Sequence, residues 1–151
     1  MSIHIRRAVA RDASVLRQLI QALADYEKEP DAVEVTESKL AQQLQSTPPP
    51  FHCFIAENES GAALGFALYF FSYSTWRGQT GVYLEDLFVI PEARRHGVGR
   101  ALMETLMAVG REHDCARLEW SVLDWNEPAL NFYRALNAES MDEWTTWRIN
   151  L

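Results

Sequence analysis

Apolar residues recur along this chain with two different periods, and the switch between them separates helices from strands. Ile3 to Val9 alternates as a short strand, after which Asp12 offers an N-cap to a helix with Leu16, Leu19, Ile20 and Leu23 at helical spacing. The pattern fades near "DYEKEPD". Thr36 followed by Glu37 caps a second, weaker helix through Leu40 and Leu44, and the prolines of "STPPPF" stop it. Three runs rich in aromatic and β-branched residues come next, "FHCFIAEN", "GAALGFALYFFSY" and "GVYLEDLFVI", joined by the turn "ENESGA" and the longer loop "STWRGQTG". They predict an antiparallel meander.

After Pro91 a long helix carries Val98, Ala101, Leu102, Thr105, Leu106 and Val109 on one face. "CARLEWSVL" is a further strand, "NEPALNFYRAL" a short helix with proline in its first turn, and "TTWRINL" a closing strand. This order predicts an α/β (α+β) fold in which one sheet is flanked by helices, within a single domain spanning 1–151.

Composition narrows the functions open to such a fold. The 151 residues are 48% hydrophobic and include five tryptophans, which suits a packed globule. A formal net charge of −7 leaves no basic stripe for phosphate backbones, so nucleic acid is not expected as a partner, whereas a cationic small molecule suits an acidic protein. No signal-peptide pattern opens the chain and no run of about 18 apolar residues occurs, so a cytoplasmic location without membrane attachment is expected. Cys53 and Cys115 stand in apolar strand-like contexts as free thiols. His4, His52, His96 and His113 show no metal-ligand spacing, and no metal is expected.

The stretch "PEARRHGVGRAL" carries the most chemistry. Gly97 and Gly99 flank Val98 where the loop becomes a helix, and without a Cβ they let a ligand approach the backbone. The first amides of a helix have no internal partners, and the dipole adds about 0.3–1 kcal/mol for a nearby anion, so the turn is suited to a pyrophosphate. Arg100 and Ala101 after Gly99 exclude a P-loop, and Leu102 stands where a dinucleotide fingerprint needs a small residue. Upstream, the adjacent acids Glu85 and Asp86 interrupt an apolar strand, which is costly unless they reach a cleft.

The pattern Arg94, Arg95, His96, Gly97, Val98, Gly99 after "LEDLFVIPEA" resembles the Arg/Gln-x-x-Gly-x-Gly/Ala turn of the GNAT superfamily of acetyl-CoA-dependent N-acetyltransferases. "LADYEKE", "FALYFFSYSTWRG", "YLEDLFV" and "WNEPALNFY" extend the resemblance toward its spermidine/spermine (diamine) and thialysine acetyltransferase branch. The resemblance implies the GNAT fold, with a mixed, mostly antiparallel sheet of six to seven strands and about four helices, and a homodimer. It also implies transfer of acetyl from acetyl-CoA to a small primary amine by direct attack in a ternary complex. Neither cysteine stands where a covalent intermediate would need it.

By the same resemblance, Arg94 to Gly99 and Arg100 hold the coenzyme A pyrophosphate, while the backbone of Leu87, Phe88 and Val89 pairs with the pantetheine arm. Asn126 and Asn131 bond that arm, although capping explains Asn126 equally well. Tyr133 is implied as the acid beside the thioester sulfur; its helical stripe with Ala129, Phe132 and Leu136 also fits a core residue. Glu85 is implied as a base acting through water, and Asp86 helps to hold substrate charge. Tyr26, Glu27 and Trp76 complete the amine side, where an aromatic face contributes about 0.5–2 kcal/mol to an alkylammonium. Two other readings remain open: a non-catalytic acyl-CoA sensor, and an enzyme that acetylates protein or peptide amines.

Overall fold

A computed structural model describes residues 2–151, which form two compact units, one running to Ser121 and the other spanning Val122–Leu151. The first unit holds a five-stranded sheet in chain order, β1 (His4–Arg7), β2 (His52–Glu57), β3 (Ala63–Ser74), β4 (Gln79–Val89) and β5 (Leu118–Trp120). The first four strands are antiparallel and β5 runs parallel to β4. Helices α1 (Ala13–Tyr26), α2 (Glu37–Gln45) and α3 (Val98–Glu112) complete this unit. In the second, α4 (Glu127–Ala135) is the one regular element among the described residues.

Side-chain alternation decides which helices lie on which face of the sheet. Cys53, Ile55, Phe66, Leu68 and Phe88 point to one side, where they pack with Leu16 and Leu19 of α1 and Leu40 of α2. The opposite side is covered by α3, whose Val98, Leu102, Leu106 and Val109 are buried and whose Gly110 lies against Val82. Thr36 caps α2 by accepting from the Lys39 amide at 3.1 Å, as its sequence predicts. Asp12 behaves differently from the expected helix cap. Its carboxylate accepts from the Val9 amide at 2.7 Å and from both Arg6 terminal nitrogens at 2.8 Å, fastening the start of α1 to β1.

The sheet has five strands where six to seven are implied. Residues 145–151 form no strand, and Trp147, Ile149 and Leu151 stand in solvent. Their alternation is that of a half-buried strand, but a strand exists only when a neighbour supplies the other half of its ladder. No helix is long and apolar enough to cross a membrane among the described residues.

Candidate functional site

The site grows from an irregularity in β4. Asp86 pairs with Leu68 of β3, but at the next step Leu84 pairs with Tyr69, so Glu85 is an extra residue with no opposite number. Such a bulge re-aims side chains by breaking the two-residue period. As a result Val82 faces α3 while Asp86 and Phe88, of the same parity, face the α1 side. Glu85 is exposed and Asp86 half-buried. Two adjacent carboxyl groups therefore sit where a strand changes its facing, which is how this apolar run accommodates them.

Glu27, directly after α1, belongs to the same acidic group. Burial pushes the Asp86 carboxyl up to about 6, and the negative charges of Glu85 and Glu27 add to the rise. Burial also raises Glu27. None of the ion pairs among the described residues involves these three acids. The cluster is an electrostatic deficit that an ammonium group would fill.

Past β4, Pro91–Ala93 makes a 3-10 turn, and the chain then passes through Arg95 at φ 67° and Gly97 at φ 84° before entering α3. Gly97 is the N-cap and brings no side chain to the first amides; the helix ladder opens with the Ala101 amide donating to the Gly97 carbonyl at 2.9 Å. The space where a Cβ would stand on Gly97 is open. Unbonded amides, a positive helix end and an open approach together suit a phosphate. Arg95 and His96 are exposed beside the turn. Arg100, also exposed, has its Nε 3.2 Å from Glu104 Oε1 along the helix surface.

Arg94 turns away from the helix start. Its Nε donates to the Val89 carbonyl at 2.9 Å, and its guanidinium lies 5.1 Å from the Tyr26 ring centroid and 5.6 Å from that of Phe88. One side chain thereby connects the end of β4, the end of α1 and the glycine turn. The family resemblance implies a pyrophosphate role for Arg94; the link to Tyr26 and Val89 is a tertiary contact that leaves no local signal in the sequence.

The remaining candidates are more dispersed. Leu87, Phe88 and Val89 form the last part of β4, opposite Gly65 to Ala67 of β3. The approach there is so close that a Cβ on Gly65 would collide with the Phe88 carbonyl. Trp76 lies in the β3–β4 turn, 86% exposed, and the strand rise separates it from Glu85 by roughly 20 Å; the structure does not bring the two together. In the second unit, Asn126 caps α4 by accepting from the Ala129 amide at 3.3 Å, and Asn131 Oδ1 accepts from Arg134 at 3.0 Å. Tyr133 is half-buried, its ring tilted against Phe132 at 5.3 Å. Burial pushes the Cys53 thiol up, as befits a core thiol.

Residues 16–138 match the model of the Acetyltransferase (GNAT) family. The chain belongs to that family. It is similar to a thialysine N-epsilon-acetyltransferase of Bos taurus, 37% identical over 150 residues that cover 95% of this chain and 88% of the relative. It is also 33% identical to the spermidine/spermine N(1)-acetyltransferase-like protein 1 of Homo sapiens, over 97% of this chain and 22% of that protein. An integron cassette protein from the mobile metagenome of V. cholerae shares the fold with a TM-score of 0.81 at 27% identity, over 99% of this chain and 93% of that one. This GNAT protein is accordingly an N-acetyltransferase.

Proposed function

We propose that this acetyltransferase moves an acetyl group from acetyl-CoA to a primary amine of a small polyamine or thialysine-like molecule, by direct attack in a ternary complex. The observation that carries the proposal is the group of Glu27, Glu85 and Asp86, three carboxyls without a cationic partner at the β4 bulge. A small polycation matches that deficit, and the thialysine and spermidine/spermine names of the relatives describe such amines.

The α3 amides behind Gly97, with Arg95, His96 and Arg100 beside them, would hold the coenzyme A pyrophosphate, and the backbone of Leu87, Phe88 and Val89 the arm that follows it. When bound, acetyl-CoA supplies the acetyl group as a thioester whose sulfur leaves as a thiolate. Glu85 takes the proton that the ammonium must lose before its nitrogen can attack, through a water molecule. Asp86 and Glu27 keep the remaining positive charge of the amine in place, and Tyr26 offers it an aromatic face. Tyr133 supplies the proton that neutralises the leaving thiolate. Each proton transfer of this kind contributes about 10²–10⁴-fold. The proposal takes residues 1–151 as one catalytic domain and keeps the cytoplasmic location expected from the sequence.

The deciding experiment measures acetyl-CoA-dependent release of free thiol with spermidine, spermine, putrescine, thialysine, lysine and a basic peptide, for wild type and Tyr133→Phe side by side. Turnover on a free amine that collapses in the variant supports the proposal. Turnover on the peptide alone moves the acceptor to protein amines. Saturable acetyl-CoA binding with no turnover at all would identify a sensor.

A further inference from the structure

On the α1 side of the sheet, helical cover stops at Leu68. Phe66 and Leu68 are buried beneath α1 and α2, whereas Phe70, in step with them on β3, is exposed. Phe70 stands opposite Tyr83 of β4, and Tyr83 opposite Glu119 of β5, so the three make one row across this face. The rings of Phe70 and Tyr83 meet at 5.2 Å, and a 2.9 Å hydrogen bond between Tyr83 Oη and Ser121 Oγ steadies the second ring. In the next row Arg117 lays its stem beside Gly81, where a Cβ would come 3.9 Å from Arg117 Cγ. Arg117 Nε lies 3.2 Å from Glu119 Oε1, the two side chains being 45% and 39% exposed. In the other direction the adjoining row is that of Leu68 and Asp86, roughly 7 Å back along β3. The face therefore presents, in order, the acids of the bulge, an aromatic pair, a carboxylate and a guanidinium.

We propose, resting on the amine acetyltransferase reading above, that these rows bind the far end of the acceptor and select a diamino acid. Arg117 takes its α-carboxylate and Glu119 its α-ammonium, while Phe70 and Tyr83 carry the chain that leads to the reacting amine at Glu85 and Asp86. The order of charges favours this occupant. A diamino acid presents both signs at its far end and a cation at its near end, in the same sequence as the groups below it. A polyamine has positive groups only, and its far end meets the Arg117 guanidinium as a like charge. The span agrees as well: two strand steps and one strand spacing separate Asp86 from Glu119 by roughly 8 Å, the reach of an extended lysine-length chain. An ion pair as exposed as Arg117–Glu119 contributes little to the fold, so it opens readily, and the guanidinium fork then fits a carboxylate.

The test compares acceptors that differ only in the carboxylate: thialysine against bis(2-aminoethyl) sulfide, and lysine against cadaverine, with wild type, Arg117→Gln and Arg117→Glu. In the wild type, kcat/KM for each amino acid is expected to exceed that for its diamine by roughly tenfold or more, mainly through KM. Arg117→Gln should bring the two members of a pair together, and Arg117→Glu should reverse the preference, with acetyl-CoA affinity unchanged in both. A purely structural role for Arg117 would lower all four rates alike and could not produce the reversal. A wild type that does not distinguish the members of a pair, or that turns over the diamines faster, overturns this inference and leaves the amine acetyltransferase reading intact; this comparison needs no variant to fold. A folded Arg117→Gln that keeps the wild-type preference overturns it too. No turnover on any free amine overturns both.

Discussion

The guanidinium of Arg94 stacks over the ring of Tyr26, 5.1 Å from its centroid, while its Nε holds the Val89 carbonyl. The contact joins two segments more than sixty residues apart in sequence, the end of the first helix and the loop that leads into α3. Replacing Arg94 with alanine removes a cation–π contact and a charge-assisted hydrogen bond, together about 1–2 kcal/mol. Thermal denaturation should show a melting temperature lowered by roughly 2–8 °C. Lysine should restore little, because its ammonium cannot lie flat on the ring while donating to Val89. A melting temperature unchanged in the alanine variant would show that the stack contributes nothing.

Asp86 gives the protein an inverted pH dependence of stability. Its carboxyl titrates at about 6 in the fold, against an ordinary value of 3.8, so the folded state binds the additional proton between those limits. Stability therefore falls as the pH rises from about 4 to 6, and the full penalty, on the order of 3 kcal/mol, persists above. Asp86→Asn should be more stable than wild type at pH 8, and the difference should vanish by pH 4, as read from urea midpoints. Equal midpoints at pH 8 would mean that the carboxylate is not under strain.

The same substitution should weaken catalysis. On the proposed function Asp86 holds the charge of the amine, so Asp86→Asn should raise the KM for the amine more than it lowers kcat. A fall in kcat alone, at constant KM, would give Asp86 a role in proton transfer and not in holding charge.

Gly97→Ala tests the helix start. The new Cβ meets no atom, so the cost is that of a left-handed backbone, about 1–2 kcal/mol, plus intrusion into the approach to the first amides. Calorimetry should show acetyl-CoA binding weakened by roughly tenfold or more. Undiminished affinity would place the pyrophosphate elsewhere.

Tyr133→Phe retains the ring contact with Phe132 and loses only a hydroxyl. Turnover should fall by about 10²–10⁴-fold while acetyl-CoA affinity remains within experimental error. A variant as active as wild type would require another acid.

Much of this architecture could be read from one sequence because it depends on local pattern. The stripe of Val98, Leu102, Leu106 and Val109, the Thr36 and Asn126 caps, and the meander all follow from spacing and turn chemistry. The bulge could not be read. Leu84, Asp86 and Phe88 look like an unbroken alternation, and only the pairing with Leu68 and Tyr69 shows that Glu85 resets it. Asp12 reads as a helix cap in the sequence, because its partner Arg6 comes from a neighbouring strand. The alternation at Trp147, Ile149 and Leu151 was visible, but the partner that would make it a strand is not encoded locally.

The single unpaired residue in β4 makes that strand two modules in one backbone. Val82, before the bulge, packs against α3, whereas Phe88, beyond it, packs into the core beneath α1 and α2. The same strand therefore serves the cores on both faces of the sheet, and the change of side falls at Glu85. Deleting this one residue would leave Leu84 opposite Tyr69 and Asp86 opposite Leu68, each on its present face, and would make β4 a single regular strand that has lost one carboxylate.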